Sequence, residues 1–330
     1  MTTESGTCCS KFVHYCKVFH VLDYFLLIGI AFVVCLWMES LQPYCRGFSW
    51  TDATISYKLK SSTFSVLTLL IMEVAPIGFY FIMEFLRALF ASKGEWYLDI
   101  HVSNRLPDES RAPVEMLEVS SDGFNNTAAE RTGNCPDGSF TTENKGSSKR
   151  LMTFLETANY WVVAHGFSVV LALCIVEVLK VYAGVLRPDF LARLEREGYN
   201  STSRVKDWCK VAAEGRRSFP SGHSGCAFSV FTPMAMYFLS VLRAFSGASV
   251  WRTLVGLLPI YFACAVAASR LRDNRHHSGD VVAGSVIGML SGLLAVAIFF
   301  RLGKGKAFLV PRRLDFVRRH GGQVLSDITK

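Results

Sequence analysis

Charge is scarce in this chain of 330 residues: Asp, Glu, Lys and Arg make up 19% of it, where a soluble domain carries about 25%. The deficit is uneven, with long apolar runs nearly free of charge separated by charged segments. That distribution excludes a single water-soluble globule and predicts a polytopic membrane protein. The ten cysteines form no CxxC pair and no His/Cys ligand cluster. Cys35, Cys174, Cys226 and Cys264 sit in apolar runs and read as small core hydrophobes. Cys8, Cys9 and Cys16 precede the first run, where palmitoylation is an option. There is no signal-peptide pattern: the first apolar run, from about Val21, is long enough to span and has no small-residue cleavage site behind it. Nor is there an internal repeat, broken-helix symmetry or polar midplane stripe, which argues against a transporter or channel.

What is present is six stretches of the roughly 17–25 residues that cross a hydrocarbon core: 22–39, 65–86, 158–181, 223–242, 251–268 and 281–300. Pro76 interrupts the second and Pro259 lies in the fifth, tolerable where neighbouring helices satisfy the freed carbonyls. The expected fold is all-α, a six-span domain over 21–300 between an N-terminal segment 1–20 and a basic tail 301–330. Segment 91–150 is rich in Ser, Asn, Asp, Glu and Gly and reads as a disordered loop with little core of its own.

Six spans put both termini on one side. The tail holds eight basic residues (Arg301, Lys304, Lys306, Arg312, Arg313, Arg318, Arg319 and Lys330) against Asp315 and Asp327, so the positive-inside rule places the termini in the cytosol. With Phe308, Leu309 and Phe316, the tail either lies on an anionic leaflet or is solvated. Connection 183–222 carries eight basic residues too, against five acidic ones; a phosphate site holds cations whichever way it faces, so this loop is a poor witness to topology. The sequon at Asn200 would be glycosylated only on the lumenal side. A second sequon, at Asn125, lies in the loop expected to be cytosolic.

Three motifs carry the chemistry. Lys180 and Arg187 end the third span, seven residues apart, two helical turns, with Pro188 stopping the helix. Pro220-Ser221-Gly222-His223 opens the fourth span, and a Ser-Gly step at a helix start exposes N–H groups that seat an anion. Ser269-Arg270 closes the fifth, and His276 and Asp280 lead into the sixth. Alternating topology brings all three motifs to one membrane face. The net charge of +8 therefore suggests anionic headgroups or phosphate before nucleic acid.

These residues resemble the signature of the type 2 phosphatidic acid phosphatase superfamily, K-x6-R-P, then P-S-G-H, then S-R-x5-H-x3-D, matched here in order and spacing. Pro43-Tyr44-Cys45-Arg46-Gly47-Phe48, Arg187-Pro188-Asp189-Phe190-Leu191 and His276-His277-Ser278-Gly279-Asp280 are similar to its eukaryotic lipid phosphate phosphatase branch. The resemblance implies that His276 is the nucleophile that becomes phosphorylated and His223 the acid–base residue. Asp280, one helical turn from His276, would accept from the other ring nitrogen and fix the tautomer. Lys180, Arg187 and Arg270 would hold the equatorial oxygens, with Ser221 and the Gly222 N–H completing the cradle. No carboxylate cluster suits Mg²⁺, so no metal and no cofactor are expected.

Singly, a Lys or Arg at a span end is a snorkelling anchor; jointly, the set points to catalysis. His277 reads as a supporting or surface residue, Arg272 and Arg275 as headgroup contacts or solvated groups, and Arg216 and Arg217 as leaning toward solvated faces. The acids Asp23, Glu73, Glu84 and Glu177 read as helix-to-helix partners. The function implied is hydrolysis of membrane lipid phosphates (phosphatidate, lysophosphatidate, ceramide 1-phosphate, sphingosine 1-phosphate) at the extracellular or lumenal face of a plasma membrane or endomembrane. The alternatives are a non-catalytic scaffold that keeps the helices, and a lipid or isoprenoid pyrophosphate phosphatase of the same superfamily. The partners are the bilayer and its lipid phosphates, not nucleic acid; a homo-oligomer is compatible with the sequence, as is a Cys45–Cys209 disulfide on the oxidising side.

Overall fold

The computed structural model describes residues 13, 15–90, 142–246, 249–302 and 308–314, with 142–150 described as backbone only. Its helices are α1 (Val21–Ser40), α2 (Val66–Phe90), α3 (Thr142–Ala183), α4 (Phe190–Arg196), α5 (Gly222–Val241), α6 (Val250–Gly256), α7 (Leu258–Arg272) and α8 (Ser278–Phe299). Five are long and apolar enough to cross a membrane, and α6 with α7, bent by 46° at the break between them, is so as a pair. The chain is an integral membrane protein. The bend falls at Leu257, and Pro259 sits in the first turn of α7, where its missing N–H costs no intrahelical bond. Pro76 is buried inside an unbroken α2.

α5 is the central helix, packed most extensively on α8 and then on α7 and α3. The α5–α8 contact is close because α8 presents Gly284 and Gly288: a Cβ on either would overlap the backbone oxygen of Ser221 or Gly225. Small residues let membrane helices approach to backbone contact, and here that approach sets the register between Ser221 and Asp280, whose backbones bond N–H to carbonyl at 2.9 Å. α1 lies at the periphery with Leu22, Phe25, Ile28 and Phe32 exposed, a surface suited to lipid.

Two features depart from the sequence expectations. α3 starts at Thr142, inside the segment read as a loop; Phe154, Thr157 and Ala158 are buried, so the helix continues because that turn packs. After α8, β1 (Phe300–Leu302) pairs antiparallel with β2 (Leu309–Pro311). Phe308, Val310 and Leu314 are buried there, Arg313 pairs with Glu156 and Arg312 donates to the Ala297 carbonyl at 2.7 Å. This first part of the tail docks on the bundle. Cys8, Cys9, Asn125, Lys304, Lys306, Asp315, Phe316, Arg318, Arg319, Asp327 and Lys330 lie outside the described residues.

Between α1 and α2, and between α3 and α5, the chain builds a cap outside the bundle. Ile55, Leu186, Phe190, Leu191, Leu194 and Ala212 form its core, with Phe48, Trp50 and Trp208 packed against it. A Cys45–Cys209 disulfide, Cα atoms 5.3 Å apart, ties the two connections together.

Candidate active site

The site is assembled from three connections that the helices end in. α3 stops at Ala183, and Gly184 turns the chain at φ +54°, passing so near Tyr44 that a Cβ would overlap its carbonyl. Arg187 follows. Its backbone N–H donates to the Gly215 carbonyl at 2.8 Å and its Nη2 to Glu214 Oε1 at 2.5 Å, while its buried Nε has no partner. Burial lowers the guanidinium pKa and the Glu214 charge pushes it back.

His276 lies in the turn between α7 and α8, 5% exposed. Its Nδ1 is 2.7 Å from the Ser218 carbonyl, which can only accept, so Nδ1 carries the proton and Nε2 keeps its lone pair. Burial first and the Arg187 charge second drive its pKa well below the ordinary histidine value of 6.5. The ring is therefore neutral and nucleophilic at neutral pH.

Arg270, 1% exposed, is held on every nitrogen: Nε and Nη2 on Ser269 Oγ at 2.9 and 2.8 Å, Nη1 on Ser62 Oγ at 2.8 Å, and Nη2 on Asp273 at 3.1 Å. Burial raises the Asp273 pKa, but hydrogen bonds from the Thr63 backbone and hydroxyl, with the Arg270 charge, outweigh it and leave the group below its usual value. His223, in the first turn of α5, directs Nε2 to the Phe64 carbonyl at 3.2 Å; by the same logic Nε2 donates and Nδ1 is the unprotonated nitrogen. Arg187, His223, Arg270 and His276 line one cavity of about 250 Å³, together with Ser62, Ser65, Glu214 and Arg275.

Lys180, Ser221, Gly222 and Asp280 do not line that cavity. Lys180 is paired with Glu177 and packs beside Gly222, where a Cβ would come 2.9 Å from its Nζ. The Ser221 hydroxyl caps α5, accepting from Ser224 Oγ at 3.0 Å. Asp280 departs from the expected contact with His276. Its Oδ2 stands 3.9 Å from Nδ1, because it accepts from Ser218 Oγ at 2.6 Å and the His277 N–H at 2.9 Å. Asp280 thus holds the residue whose carbonyl holds His276.

Other readings are revised by burial. Arg216, read as leaning to solvent, is fully buried, donating to the Arg46 and Trp208 carbonyls at 2.9 and 2.8 Å with its guanidinium 4.9 Å from the Phe190 ring centroid. Arg217 reaches the carbonyl-rich end of α1, donating to Leu41 at 2.9 Å. Arg275 reaches the Lys60 carbonyl at 2.7 Å, and its Nε has no partner. His277 donates to the Leu186 carbonyl at 3.1 Å. Asp23, Glu84 and Glu177 pair three residues along their own segments, with His20, Arg87 and Lys180, while Glu73 and Glu84 on α2 also reach across to Cys226 and Tyr237 on α5. Asn200 lies exposed in the cap, its Oδ1 accepting from Thr202 and Ser203.

Glu214, Ser218, Ser62 and Phe64 were not singled out by motif. Glu214-Gly-Arg-Arg-Ser218 adjoins Pro220-Ser221-Gly222-His223, and that proximity is the one signal the sequence offers for two of them.

The site thus presents guanidinium donors around a neutral imidazole with an open Nε2, a seat for a tetrahedral oxyanion. The comparisons with known proteins concern this region above all. The PAP2 superfamily pattern matches residues 161–304, which include Arg187, Glu214, His223, Arg270, Arg275 and His276 but not the segment Ser62–Ser65. A Drosophila melanogaster relative is 25% identical over 298 residues, 83% of this chain and 66% of its own. Lipid phosphate phosphatase 1 of Arabidopsis thaliana is 33% identical over 140 residues, 41% of this chain and 43% of that one. Diacylglycerol pyrophosphate phosphatase 1 of Saccharomyces cerevisiae is 35% identical over 121 residues, 34% and 42%. The chain thus spans about half the length of most of these relatives, or less, and two thirds of the fly one. No solved structure matches it. On the matched region and the eukaryotic relatives together, the chain carries a PAP2 superfamily domain over residues 161–304.

Proposed function

We propose that this protein is a membrane lipid phosphate phosphatase working through a phosphohistidine. The observation that carries the reading is the His276 ring: Nδ1–H is committed to the Ser218 carbonyl, so the Nε2 lone pair is available in the cavity shared with His223, Arg187 and Arg270. Nε2 attacks phosphorus and the P–O bond to the lipid breaks. His223, neutral in the resting site, takes the phosphate monoester's remaining proton on Nδ1 and gives it to the departing alkoxide, releasing the lipid alcohol. His223 then takes a proton from water as that water attacks the P–N bond, releasing orthophosphate and restoring His276. Arg187 and Arg270 hold the equatorial oxygens through the transition state. Lys180, from behind, adds positive charge to the site and helps keep His276 neutral.

The substrate class follows from position and from the relatives' names. The cavity opens where the helices end, so a headgroup can enter while its tails stay in lipid. Phosphatidate, lysophosphatidate, ceramide 1-phosphate and sphingosine 1-phosphate are the proposed substrates, and the yeast relative's name adds diacylglycerol pyrophosphate as a second reading. The proposed sidedness is non-cytosolic for the site, supported by the cap disulfide and by exposed Asn200 on the same face. Purified protein should release phosphate from a panel of these lipids with EDTA present, since guanidinium groups neutralise the phosphoryl charge. Strict dependence on added Mg²⁺, or no release from any of them, would overturn the reading. A glycosidase mobility shift lost in Asn200→Gln supports the sidedness; one lost only in Asn125→Gln would invert it.

A further inference from the structure

Arg187 does not wait empty for its ligand. We propose that Glu214 is an internal competitor for the Arg187 guanidinium, occupying it in the resting site and swinging into a neighbouring arginine-lined cavity when a phosphoryl group enters, so that this residue sets how tightly the site holds its anion. The proposal rests on the reading of Arg187 as a phosphoryl ligand.

The geometry is that of a ligand mimic. A side-on grip on a phosphoryl group uses the Nε and Nη2 of one guanidinium edge. Glu214 Oε1 sits 2.5 Å from Nη2, and Nε on the same edge has no partner. A phosphoryl group that takes both nitrogens must displace the carboxylate. The two partners are unequally anchored: the Arg187 side chain is 12% exposed and that of Glu214 63%.

Displacement needs no backbone movement. Glu214 lies in the short turn Ala213–Arg216, pinned by the Gly215 carbonyl to the Arg187 N–H at 2.8 Å and by the Gly215 N–H to the Ala212 carbonyl at 2.8 Å. Only side-chain torsions have to change. Glu214 also lines a second cavity, of about 290 Å³, whose walls include Arg193 and Arg196. Arg193 is engaged with Asp189 at 2.8 Å, and Arg196 is exposed. Glu197 lines this cavity too, its Oε2 accepting from the Ala212 N–H at 3.2 Å; the carboxylate of Glu214 therefore stands between Arg187 and Arg196, and an anion at the first drives it toward the second.

The alternative role, a positioning residue that orients Arg187, predicts the opposite sign. The full chain in detergent is assayed for thermal stabilisation by orthovanadate, a readout independent of turnover. Removing the competing charge from an ion pair of this exposure should tighten vanadate binding in Glu214→Gln by about three- to fivefold. Arg196→Ala, on the exposed second seat, should weaken binding by roughly twofold in the wild type and leave Glu214→Gln unaffected. Unchanged or weaker vanadate binding in Glu214→Gln, with binding lost in Arg187→Ala, would overturn the competitor proposal alone. Undiminished vanadate binding in Arg187→Ala would instead overturn the reading beneath it.

Discussion

At the site face, Arg270 has every guanidinium nitrogen hydrogen-bonded to oxygens from two connections and its own helix. At the opposite face, Trp161 stacks on Phe300 with ring centroids 4.0 Å apart and meets Tyr237 edge-on at 5.1 Å. Both ends of the bundle are densely buried, but by different forces. The aromatic end is closed by packing, where deleted volume is felt as lost stability. The site end is closed by directional bonds to backbone carbonyls and leaves Arg187 Nε and Arg275 Nε unpartnered. A buried donor without a partner is costly in a purely structural element, and these two belong to residues that line the cavity where an anion is to be received.

That contrast can be broken first at its strongest point. His276→Ala should lower kcat by about 10⁴-fold or more with little change in Tm, because the lost ring is neutral and no other group takes its place; near wild-type hydrolysis would sink the nucleophile assignment. Phe300→Ala at the other end should do the reverse. Its ring is 2% exposed and stacked on Trp161, so about 3 kcal/mol of stability should go while the folded fraction keeps its kcat. A Phe300→Ala protein with normal Tm and impaired turnover would show the two ends to be coupled.

Asp280→Asn sharpens the comparison within the site. Its carboxylate acts on His276 through Ser218, so kcat should fall about tenfold, far less than for His276→Ala, with KM little changed. A loss equal to that of His276→Ala would mean that Asp280 contacts the ring directly during turnover.

The smallest effect concerns pH. The folded-state pKa of His276 lies well below 6.5. Between those two values the unfolded chain binds a proton that the folded chain refuses, so the ring's contribution makes stability fall as pH drops below 6.5, by at most about 1.4 kcal/mol per pH unit. Above 6.5 the contribution is flat. Thermal unfolding of wild type and His276→Gln across this window should show a shallower acid slope in the variant; identical slopes would mean that the ring titrates normally.

Much of this was legible in the sequence, for identifiable reasons. Apolar run length fixes the number of spans, since each must cross the same hydrocarbon thickness. Alternating topology then brings Arg187, His223, Arg270 and His276 to one face. What was not legible depends on loops. Asp280 stands four residues from His276, yet the ring's partner is a carbonyl 58 residues distant in sequence, chosen by how 184–221 folds back. Glu214 is one of five acids in connection 183–222, and nothing local distinguishes the one that reaches Arg187. Arg216 looked like one more loop cation, but the cap folds around it. The hairpin after Phe300 was hidden by basic composition, although Phe308, Val310 and Leu314 supply its buried face.

The central claim is that a phosphoryl group passes through His276. Lipid phosphate labelled with ³²P, mixed with the protein and quenched within the first turnovers, tests it directly. The account predicts an acid-labile labelled protein that is absent in His276→Ala. In His223→Ala, which lacks the group that activates water, any phosphoenzyme that does form should be slow to hydrolyse. Label that persists in His276→Ala, or release of phosphate at full rate with no labelled protein at any time, would contradict it.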